Sequence, residues 1–440
     1  MFDPLVIGYL GLALLILLLA LGIHIGVALG FVGMLGTGLI VGFEGAFYSA
    51  VSAIYHKIES FSLVTIPLFI LMGYLASGGG MSRSIFEVLN EWVGRFSGGL
   101  GISTVVSCTA FGAVTGSSLV TASVFASIGA PEMRRHGYNK RVAYGICASG
   151  GMMGMLIPPS ILMVVYGVLA GESIGKLLIA GVTPGLILMV LFSLVILLIA
   201  WIRPAMIQKP KFAEKIAWSR KLKGLWRIWH IFLVALIIFG GIFGGVFNPT
   251  EAAAVASFVL ILLVLITRFK DCGGVFKVAF LETGSTSAMI FLVMGGAAVF
   301  SHFLSLSGIT QNLANYIITL NLSRLSLVWV LVIFYGVLGM FLDSISMLCI
   351  TIPLFNPIVN AMGIDSIWYA VLVIMAIETG LITPPVGLNV YGAFAVAEPD
   401  VRLEDIFAGI WPFFVVAWIA IFFLIYFPFF STFLPRLMLG

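Results

Sequence analysis

The chain alternates long apolar runs with short polar segments along its whole length. About 20 apolar residues are needed for a helix to cross the roughly 30 Å hydrocarbon core of a bilayer. Runs of this kind form two series on either side of a polar stretch at 203–230: 5–22, 25–43, 62–77, 142–170 and 177–202, then 231–247, 250–267, 276–302, 366–396 and 405–430. The pattern predicts an all-α multi-pass membrane protein with ten full spans.

The polar stretch at 203–230 divides the chain nearly in half. It holds eight Lys and Arg residues and a single acid, Glu214, with Trp and Leu residues interleaved. Such a composition is typical of an amphipathic helix that lies on a membrane surface. We therefore expect a connecting arm between a first unit, 1–202, and a second unit, 231–440.

Two further apolar stretches, at about 98–131 and 325–359, predict re-entrant hairpins. The legs of the first are too short for two crossings, and its midpoint holds the polar sequence Gly116-Ser117-Ser118. The second turns at Asp343-Ser344. Two full crossings would also return the chain to its starting side, so this prediction depends on leg length and on the polar tips.

Each unit also contains an apolar run that is interrupted by a pair of prolines. Pro158-Pro159 lies inside 142–170 and Pro384-Pro385 lies inside 366–396. Paired prolines remove backbone donors and clash with the preceding turn, so we expect both helices to break. In a bilayer the freed carbonyl groups must be buried in protein or line a polar cavity. A simple kink within a packed bundle is the alternative for either pair alone.

The spacing between hairpin and break is the same in the two units. Gly154 follows Gly112 by 42 residues and opens the motif GMLIPPS. Gly380 follows Gly339 by 41 residues and opens GLITPPV. These coincidences predict an internal repeat in which each unit carries one hairpin and one broken helix.

Charge is scarce and sets the expected orientation. Charged residues make up 9% of the chain, against roughly a quarter in soluble domains. If 203–230 is cytoplasmic, 18 of the 22 Lys and Arg residues lie on that side, as the positive-inside rule requires. The two repeats are then inverted, both termini are periplasmic, and no signal peptide is removed. Only the acid-rich loop near 398–405 fits the cytoplasmic side poorly.

The hairpin tips and the breaks collect groups that suit a monovalent hard cation. Such an ion favours a cage of oxygen ligands, and glycine allows the backbone to approach closely. The four cysteines are isolated and show no metal-binding spacing. We predict two cation sites, composed of Gly112, Ser117, Ser118, Gly154, Ile157 and Pro158 in the first unit and of Gly339, Asp343, Ser344, Gly380, Thr383 and Val386 in the second.

Acidic and polar side chains inside the apolar segments are further candidates for functional residues. A charge in the membrane is costly, so ionisable residues are usually found there only where they serve a function. Asp343 sits at a tip, Glu378 either serves a site or bonds within the bundle, and Glu282 is interfacial. Half-helix N-termini favour anionic substrates. We therefore predict substrate contacts at Ser117, Ser160, Ser344 and Asn389. Helix packing is an equal alternative for Ser160 and Asn389.

Other function classes find no support in the sequence. The glycine-rich pieces follow no predicted strand and do not form a P-loop, so we expect no nucleotide. The basic residues lie in short loops beside apolar runs, which is typical of membrane topology and not of nucleic-acid binding.

Four segments resemble the large membrane subunit of tripartite ATP-independent periplasmic (TRAP) transporters. They are TGSSLVTASVFASIGAPEMRRHGYN from Thr115, GMLIPPSILMVVYGVLAGESIGKLLIAGVTPG from Gly154, GGIFGGVFNPTEAAAVA from Gly240 and ETGLITPPVGLNVY from Glu378. The likeness covers essentially the whole chain, and the combination of the motifs is more specific than any one of them.

The resemblance implies an elevator-type secondary transporter in a bacterial inner membrane, with no covalent chemistry. It implies Na+ at the two predicted sites, a small carboxylate substrate such as a C4-dicarboxylate or sialic acid, and a periplasmic substrate-binding protein. A small four-helix membrane subunit is expected as a separate chain. The hairpins and broken helices would form the moving transport domain, and the other spans and the arms would form the scaffold.

Three alternatives remain open at the level of the sequence. A stand-alone inverted-repeat anion/sodium symporter would need no binding protein. An intramembrane enzyme would use Asp343 and Glu378 as paired carboxylates, and a channel is the third alternative. Neither of the last two accounts for a duplicated hairpin.

Overall fold

The computed structural model describes residues 3–208, 217–320 and 322–438. Within these ranges the regular elements are helices, and the one β feature is an isolated bridge between Tyr138 and Ile207. The prediction of an all-α multi-pass membrane protein is confirmed. Part of the predicted connecting arm, 209–216, lies outside the described residues.

The helices of the first unit mostly begin at polar or glycine residues. The Asp3 carboxylate accepts a hydrogen bond from the Leu5 N–H at 3.0 Å, and Pro4 occupies the first turn, a common way to start a helix. The helices are α1 Pro4–Ala20, α2 Ile25–Val41, α3 Phe43–Ile58, α4 Thr65–Gly78, α5 Met81–Val93, α6 Gly99–Thr115, α7 Ser118–Arg135, α8 Lys140–Gly150, α9 Met153–Leu156, α10 Ile161–Ala170, α11 Ile174–Ala180 and α12 Val182–Ile202.

The second unit follows the same principles. The motif NPTEA forms a capping box, in which Asn248 and Glu251 bond each other's backbone N–H groups at 2.9 Å. The helices are α13 Trp218–Arg227, α14 Trp229–Ala235, α15 Gly241–Phe243, α16 Pro249–Thr267, α17 Cys272–Ser307, α18 Ile309–Thr319, α19 Arg324–Leu338, α20 Ser344–Ala361, α21 Ser366–Gly380, α22 Leu388–Phe394, α23 Leu403–Tyr426 and α24 Phe429–Met438.

Helix length and composition support several membrane crossings. Six helices in the described ranges are long and apolar enough to span a bilayer, or eight if two bent helix pairs each count as one span. The predicted spans at 5–22 and 25–43 form helices of 17 residues each, about 25 Å long at 1.5 Å per residue. The predicted span at 276–302 lies inside α17, which has 36 residues.

Two helices differ from the sequence pattern. The pattern predicts no element at α3, where Glu44, His56 and Lys57 interrupt the apolar residues. The second leg of the first hairpin, α7, continues to Arg135, beyond the predicted end of the hairpin near residue 131, and Arg134 and Arg135 occupy its last turn. Cations are favourable at a helix C-terminus, which accounts for the extension.

One group of helices packs around α17. It contains α1–α4 and α16–α18. The closest crossing joins α2 to α17, where a Cβ on Gly26 would lie 2.9 Å from the carbonyl carbon of Leu292 and one on Gly33 would lie 2.8 Å from the N atom of Phe300. Small residues allow such close backbone contact between membrane helices. We call these helices the first group.

The second group contains α6–α12 and α19–α24. Helices α12 and α23, which the sequence places in the scaffold, pack against the hairpins and broken helices of this group. Phe192 of α12 meets Phe413 of α23 with ring centroids 5.1 Å apart, and a Cβ on Gly145 of α8 would lie 2.5 Å from the carbonyl carbon of Gly409 in α23. The glycine contact thus joins α23 to α8, and the aromatic contact joins α12 to α23.

The described part of the connecting arm, α13, lies against α5. Arg227 pairs with Glu91 at 2.6 Å, and the Lys221 ammonium donates to the Trp92 carbonyl at 3.3 Å. Trp218 packs edge-on against Trp92 with ring centroids 5.8 Å apart, yet it and Trp226 are largely exposed. Basic residues together with exposed aromatic residues are expected of a helix that lies on a membrane surface.

The acid-rich loop at 398–405 pairs with the basic loop at 131–141. The Arg134 guanidinium bonds both carboxylate oxygens of Asp400 at 2.8 Å and also contacts Glu398. This pairing holds the pKa of Asp400 below its usual value. The acids that fit the charge rule poorly therefore lie beside the basic residues of the first unit.

A second set of ion pairs extends this contact to the start of α23. Lys140 and Arg141 reach the Asp405 carboxylate at 2.8 and 3.1 Å. Together the two sets connect the base of the first hairpin to the second unit, and we call them the ion clasp.

The orientation remains a prediction, and α13 offers a test. In a Cys272→Ala background, which removes the one partly exposed native thiol, Lys223→Cys should react with an impermeant thiol reagent only from the cytoplasmic side of oriented vesicles. Lys223 is exposed on α13. Glu59→Cys, at the exposed end of α3, is the opposite control and should react only from the periplasmic side. Reaction of Lys223→Cys from the periplasmic side would reverse the predicted topology.

Candidate functional site

The first hairpin turns between α6 and α7 at Gly116-Ser117, which we call the first tip. Gly116 has a φ of 62°, a left-handed conformation that glycine adopts without strain. The Ser117 hydroxyl caps α7 by accepting from the Val120 N–H at 3.4 Å. Ser118, the first residue of α7, is buried. The polar residues of this tip therefore start a helix as well as marking a turn.

The first break lies at 157–160, between α9 and α10, where the helix axis bends by 43°. Ser160 closes it, because its hydroxyl accepts from the Met163 N–H at 3.3 Å and donates to the Met155 carbonyl. Ser160 is fully buried. Its hydrogen bonds stabilise the broken helix, which agrees with the packing alternative for this residue.

Glycines bring the first tip onto the first break. A Cβ on Gly112 would lie 2.6 Å from the Cα of Gly154, and a Cβ on Gly154 would lie 2.6 Å from the Ser117 carbonyl oxygen. A Cβ on Gly116 would meet the Pro159 carbonyl oxygen at 2.7 Å. The structure thus brings Gly112, Ser117 and Gly154 of the predicted first set together, and Ile157 and Pro158 lie in the adjoining break.

The second tip, Asp343-Ser344, starts α20. The exposed Asp343 carboxylate accepts from the Ser346 N–H at 3.0 Å through one oxygen, Oδ2. Ser344 is buried as the first residue of the helix. Asp343 therefore has a capping role that sequence reasoning did not assign to it.

The second break, at 381–387 between α21 and α22, meets the second hairpin through a matching glycine pair. A Cβ on Gly380 would lie 2.6 Å from the Cα of Gly339. The Val386 N–H donates to the Met340 carbonyl at 3.2 Å, whereas the Thr383 hydroxyl bonds the Thr379 carbonyl of its own helix at 2.7 Å. Gly339, Gly380 and Val386 are thus brought together, as the second set predicts.

The atoms that could bind a cation at both tips are mainly neutral oxygens. No cluster of three or more His, Cys, Asp or Glu side chains occurs among the residues the structure describes. In the two predicted sets Asp343 supplies the one carboxylate, and the rest are hydroxyl or backbone groups. This chemistry fits a monovalent hard cation and does not fit zinc or copper, which favour imidazole and thiolate ligands.

The first tip also lies at the boundary between the two groups of helices. A Cβ on Gly73 of α4 would lie 2.8 Å from the Thr115 carbonyl oxygen. A cavity of about 50 Å³ opens there, lined in part by Ser117, Val120 and Thr286. Of the predicted substrate contacts, Ser117 lines this cavity and is half-buried, whereas Ser160, Ser344 and Asn389 are buried.

The two units meet at Glu378, a residue that the predicted sets leave out. The Ser118 hydroxyl donates to Glu378 Oε1 at 3.3 Å. The Asn389 side chain lies beside the same carboxylate, and both Glu378 and Asn389 are fully buried. The signal available in the sequence was an acid within an apolar run, two residues before Gly380.

Comparisons with known proteins agree on one family. The family model described as "Tripartite ATP-independent periplasmic transporter, DctM component" matches residues 12–430. The C4-dicarboxylate TRAP transporter large permease protein DctM of Pseudomonas aeruginosa is 37% identical over 349 residues, which cover 78% of this chain and 79% of that protein. The sialic acid TRAP transporter large permease protein SiaM of Vibrio cholerae is 30% identical over 431 residues, or 94% and 99% of the two chains.

A solved structure shares the fold over nearly the whole length. The YdaH transporter of Alcanivorax borkumensis matches with a TM-score of 0.64 and 14% sequence identity, covering 99% of this chain and 98% of that one. At this level of identity the likeness concerns the fold alone.

The glycine crossings give a test of the assembled tips. Gly112→Ala and Gly380→Ala each place a methyl group within 2.6 Å of a backbone Cα, so the helices must separate, at a cost of about 1–3 kcal/mol. We expect a lower unfolding midpoint in detergent for both variants. Gly284→Ala is the matched control, because no atom lies within 4 Å of its added Cβ. An unchanged midpoint for Gly112→Ala would contradict the close crossing.

Proposed function

The chain belongs to the DctM family, the large membrane permease components of TRAP transporters, and on this basis we propose that it imports a small carboxylate together with Na+. Its relatives are named as permeases for C4-dicarboxylates and for sialic acid. These names suggest the substrate class, a small organic acid. We propose secondary transport and no covalent chemistry.

The observation that carries the sodium proposal is the pair of glycine crossings. Gly112 with Gly154, and Gly339 with Gly380, each hold a polar hairpin tip against a broken helix. Backbone carbonyl and hydroxyl oxygens collect at both places, and glycine keeps side chains out of the contact. A Na+ ion bound to such neutral oxygens needs little compensating charge from the protein, which suits a site inside a membrane.

We further propose the assembly in which this subunit works. A small four-helix membrane subunit and a periplasmic substrate-binding protein would be its partners in a bacterial inner membrane, with both termini of this chain on the periplasmic side. The binding protein would deliver the carboxylate. Family membership supports these partners.

The division of the helices supports an elevator mechanism. In our proposal the second group carries the two tips and moves as one body against the first group. A groove of about 470 Å³ separates the groups near Ser60–Ser62, Gly171–Gly175 and Asn248–Thr250. One contact across this boundary, from the Lys57 ammonium to the Val168 carbonyl at 2.8 Å, would break during such a movement.

Uptake should depend on Na+ and on the binding protein. Proteoliposomes with the small subunit and a binding protein loaded with a labelled C4-dicarboxylate or sialic acid should accumulate it in Na+ and lose uptake when K+ replaces external Na+. Full uptake in K+ that a proton uncoupler abolishes would refute sodium coupling. Uptake of free substrate without the binding protein would favour the stand-alone symporter.

Asp343 should contribute charge to the second cation site beyond its capping role. Asp343→Asn keeps a good N-cap but removes the charge, so we expect normal membrane insertion and a several-fold weaker apparent Na+ affinity in uptake titrations. Asp365→Asn is the matched control, since Asp365 caps α21 in the same way through Ile367 and Trp368. Unchanged Na+ dependence in Asp343→Asn would show that its carboxylate only caps the helix.

A further inference from the structure

Three buried polar side chains connect the two units in the middle of the second group. Ser118 comes from the start of α7, Glu378 from the end of α21 and Asn389 from the start of α22. The Ser118 hydroxyl donates to Glu378 Oε1 at 3.3 Å, and Asn389 lies beside the carboxylate. We call these three residues the junction.

The junction is costly to bury and is held in place on several sides. Exposure of Glu378 and Asn389 is 0%, and that of Ser118 is 2%. Burial of polar groups is tolerated when they find hydrogen-bond partners. No Lys, Arg or His pairs with Glu378 in the described ranges, and neither Glu378 Oε2 nor the Asn389 amide has a hydrogen-bond partner there. The bond from Ser118 is therefore the one side-chain hydrogen bond that compensates the carboxylate.

Close packing fixes the Ser118 side of the junction. A Cβ on Gly151, which follows α8, would lie 2.7 Å from the Ser118 carbonyl oxygen, and a Cβ on Gly392 of α22 would lie 2.5 Å from Leu119 Cδ1. The start of α7, next to the first tip, is thus packed against the broken helices of both units.

The junction also links the two predicted cation sites, because its two hydrogen-bonded residues each lie in or next to one of them. Ser118 follows Ser117, whose carbonyl meets Gly154 in the first set, and Glu378 precedes Gly380 of the second set by two residues. A displacement of Ser118 at the first site is therefore passed to α21 through one hydrogen bond. A link between two sites makes each ion's binding sensitive to the other.

We propose that Glu378 is a positioning residue, which holds the first tip on the second broken helix and couples the two Na+ sites. This inference rests on the proposed sodium coupling. Its specific content is that Glu378 acts as a hydrogen-bond acceptor for Ser118, and not as the ligand of a further ion.

The test uses Na+ alone as the probe. The unfolding midpoint of the full chain is measured in detergent as NaCl replaces KCl at constant ionic strength, because an ion that binds the native state raises the midpoint. We expect a sigmoidal dependence for the unmodified protein. Glu378→Leu, which removes the acceptor, should raise the half-saturating Na+ concentration about fivefold or more and make the curve hyperbolic, a size within the usual range of coupling between sites.

Two further variants separate positioning from charge. Glu378→Gln retains a carbonyl oxygen that can accept from Ser118 and should recover most of the lost Na+ affinity and the sigmoidal shape. Ser118→Ala should reproduce the Glu378→Leu curve, and the double variant should lose no more than either single variant. Ser123→Ala is the matched control, because the Ser123 hydroxyl bonds the Leu119 carbonyl of its own helix.

Each outcome decides between the possibilities. A Glu378→Gln curve like that of Glu378→Leu would show that the charge is required, and this would overturn the proposal. Losses of Na+ affinity that multiply in the double variant would show that Ser118 and Glu378 act independently, and this would overturn it as well. An unchanged Glu378→Leu curve overturns it as well and leaves sodium coupling intact. Absence of any Na+ effect on the unmodified protein would instead refute the proposed function. If Glu378→Leu does not fold, the smaller Glu378→Ala, which also removes the acceptor, provides the same comparison.

Discussion

A backbone carbonyl group inside a bilayer has no water to bond, and this constraint governs the second group of helices. The proline pairs at 158–159 and 384–385 free such groups in the middle of apolar runs. Burial of the first break, the capping bond of Ser160 and the two glycine crossings are the response to that requirement. A helix broken for function can persist here because a hairpin tip covers the break from within the protein.

Covering the breaks also connects the two units. The first tip reaches the second broken helix through Ser118 and Glu378, and the ion clasp joins Arg134 to Asp400 at the base of the same hairpin. Hydrogen bonds in the apolar interior and ion pairs at its edge thus act at two heights of one bundle. Together with the crossing of Gly145 on Gly409, they hold the helices of the second group together, as the proposed elevator movement would require.

Much of this arrangement could be predicted from the sequence, because each signal there is local. Proline pairs, short apolar legs and polar tips indicate breaks and turns without knowledge of neighbours. Helix α3 was not predicted because it is an amphipathic, largely exposed helix whose polar residues interrupt the apolar run. The placement of α12 and α23 depends on tertiary contacts. So do the ion clasp and the pairing of Ser118 with Glu378, which join residues 260 or more positions apart. A single sequence carries no signal for such contacts.

The capping bonds at the tips bear on how an ion could bind and leave without melting the hairpins. Asp343 bonds the Ser346 N–H through Oδ2, so Oδ1 is the oxygen left to face an ion. The Ser117 hydroxyl accepts from Val120, and a hydroxyl oxygen has a second lone pair. In both hairpins one acceptor secures the helix start, and the same side chain keeps a further acceptor site at the tip. If Na+ binds as proposed, the tips need not refold for the ion to exchange.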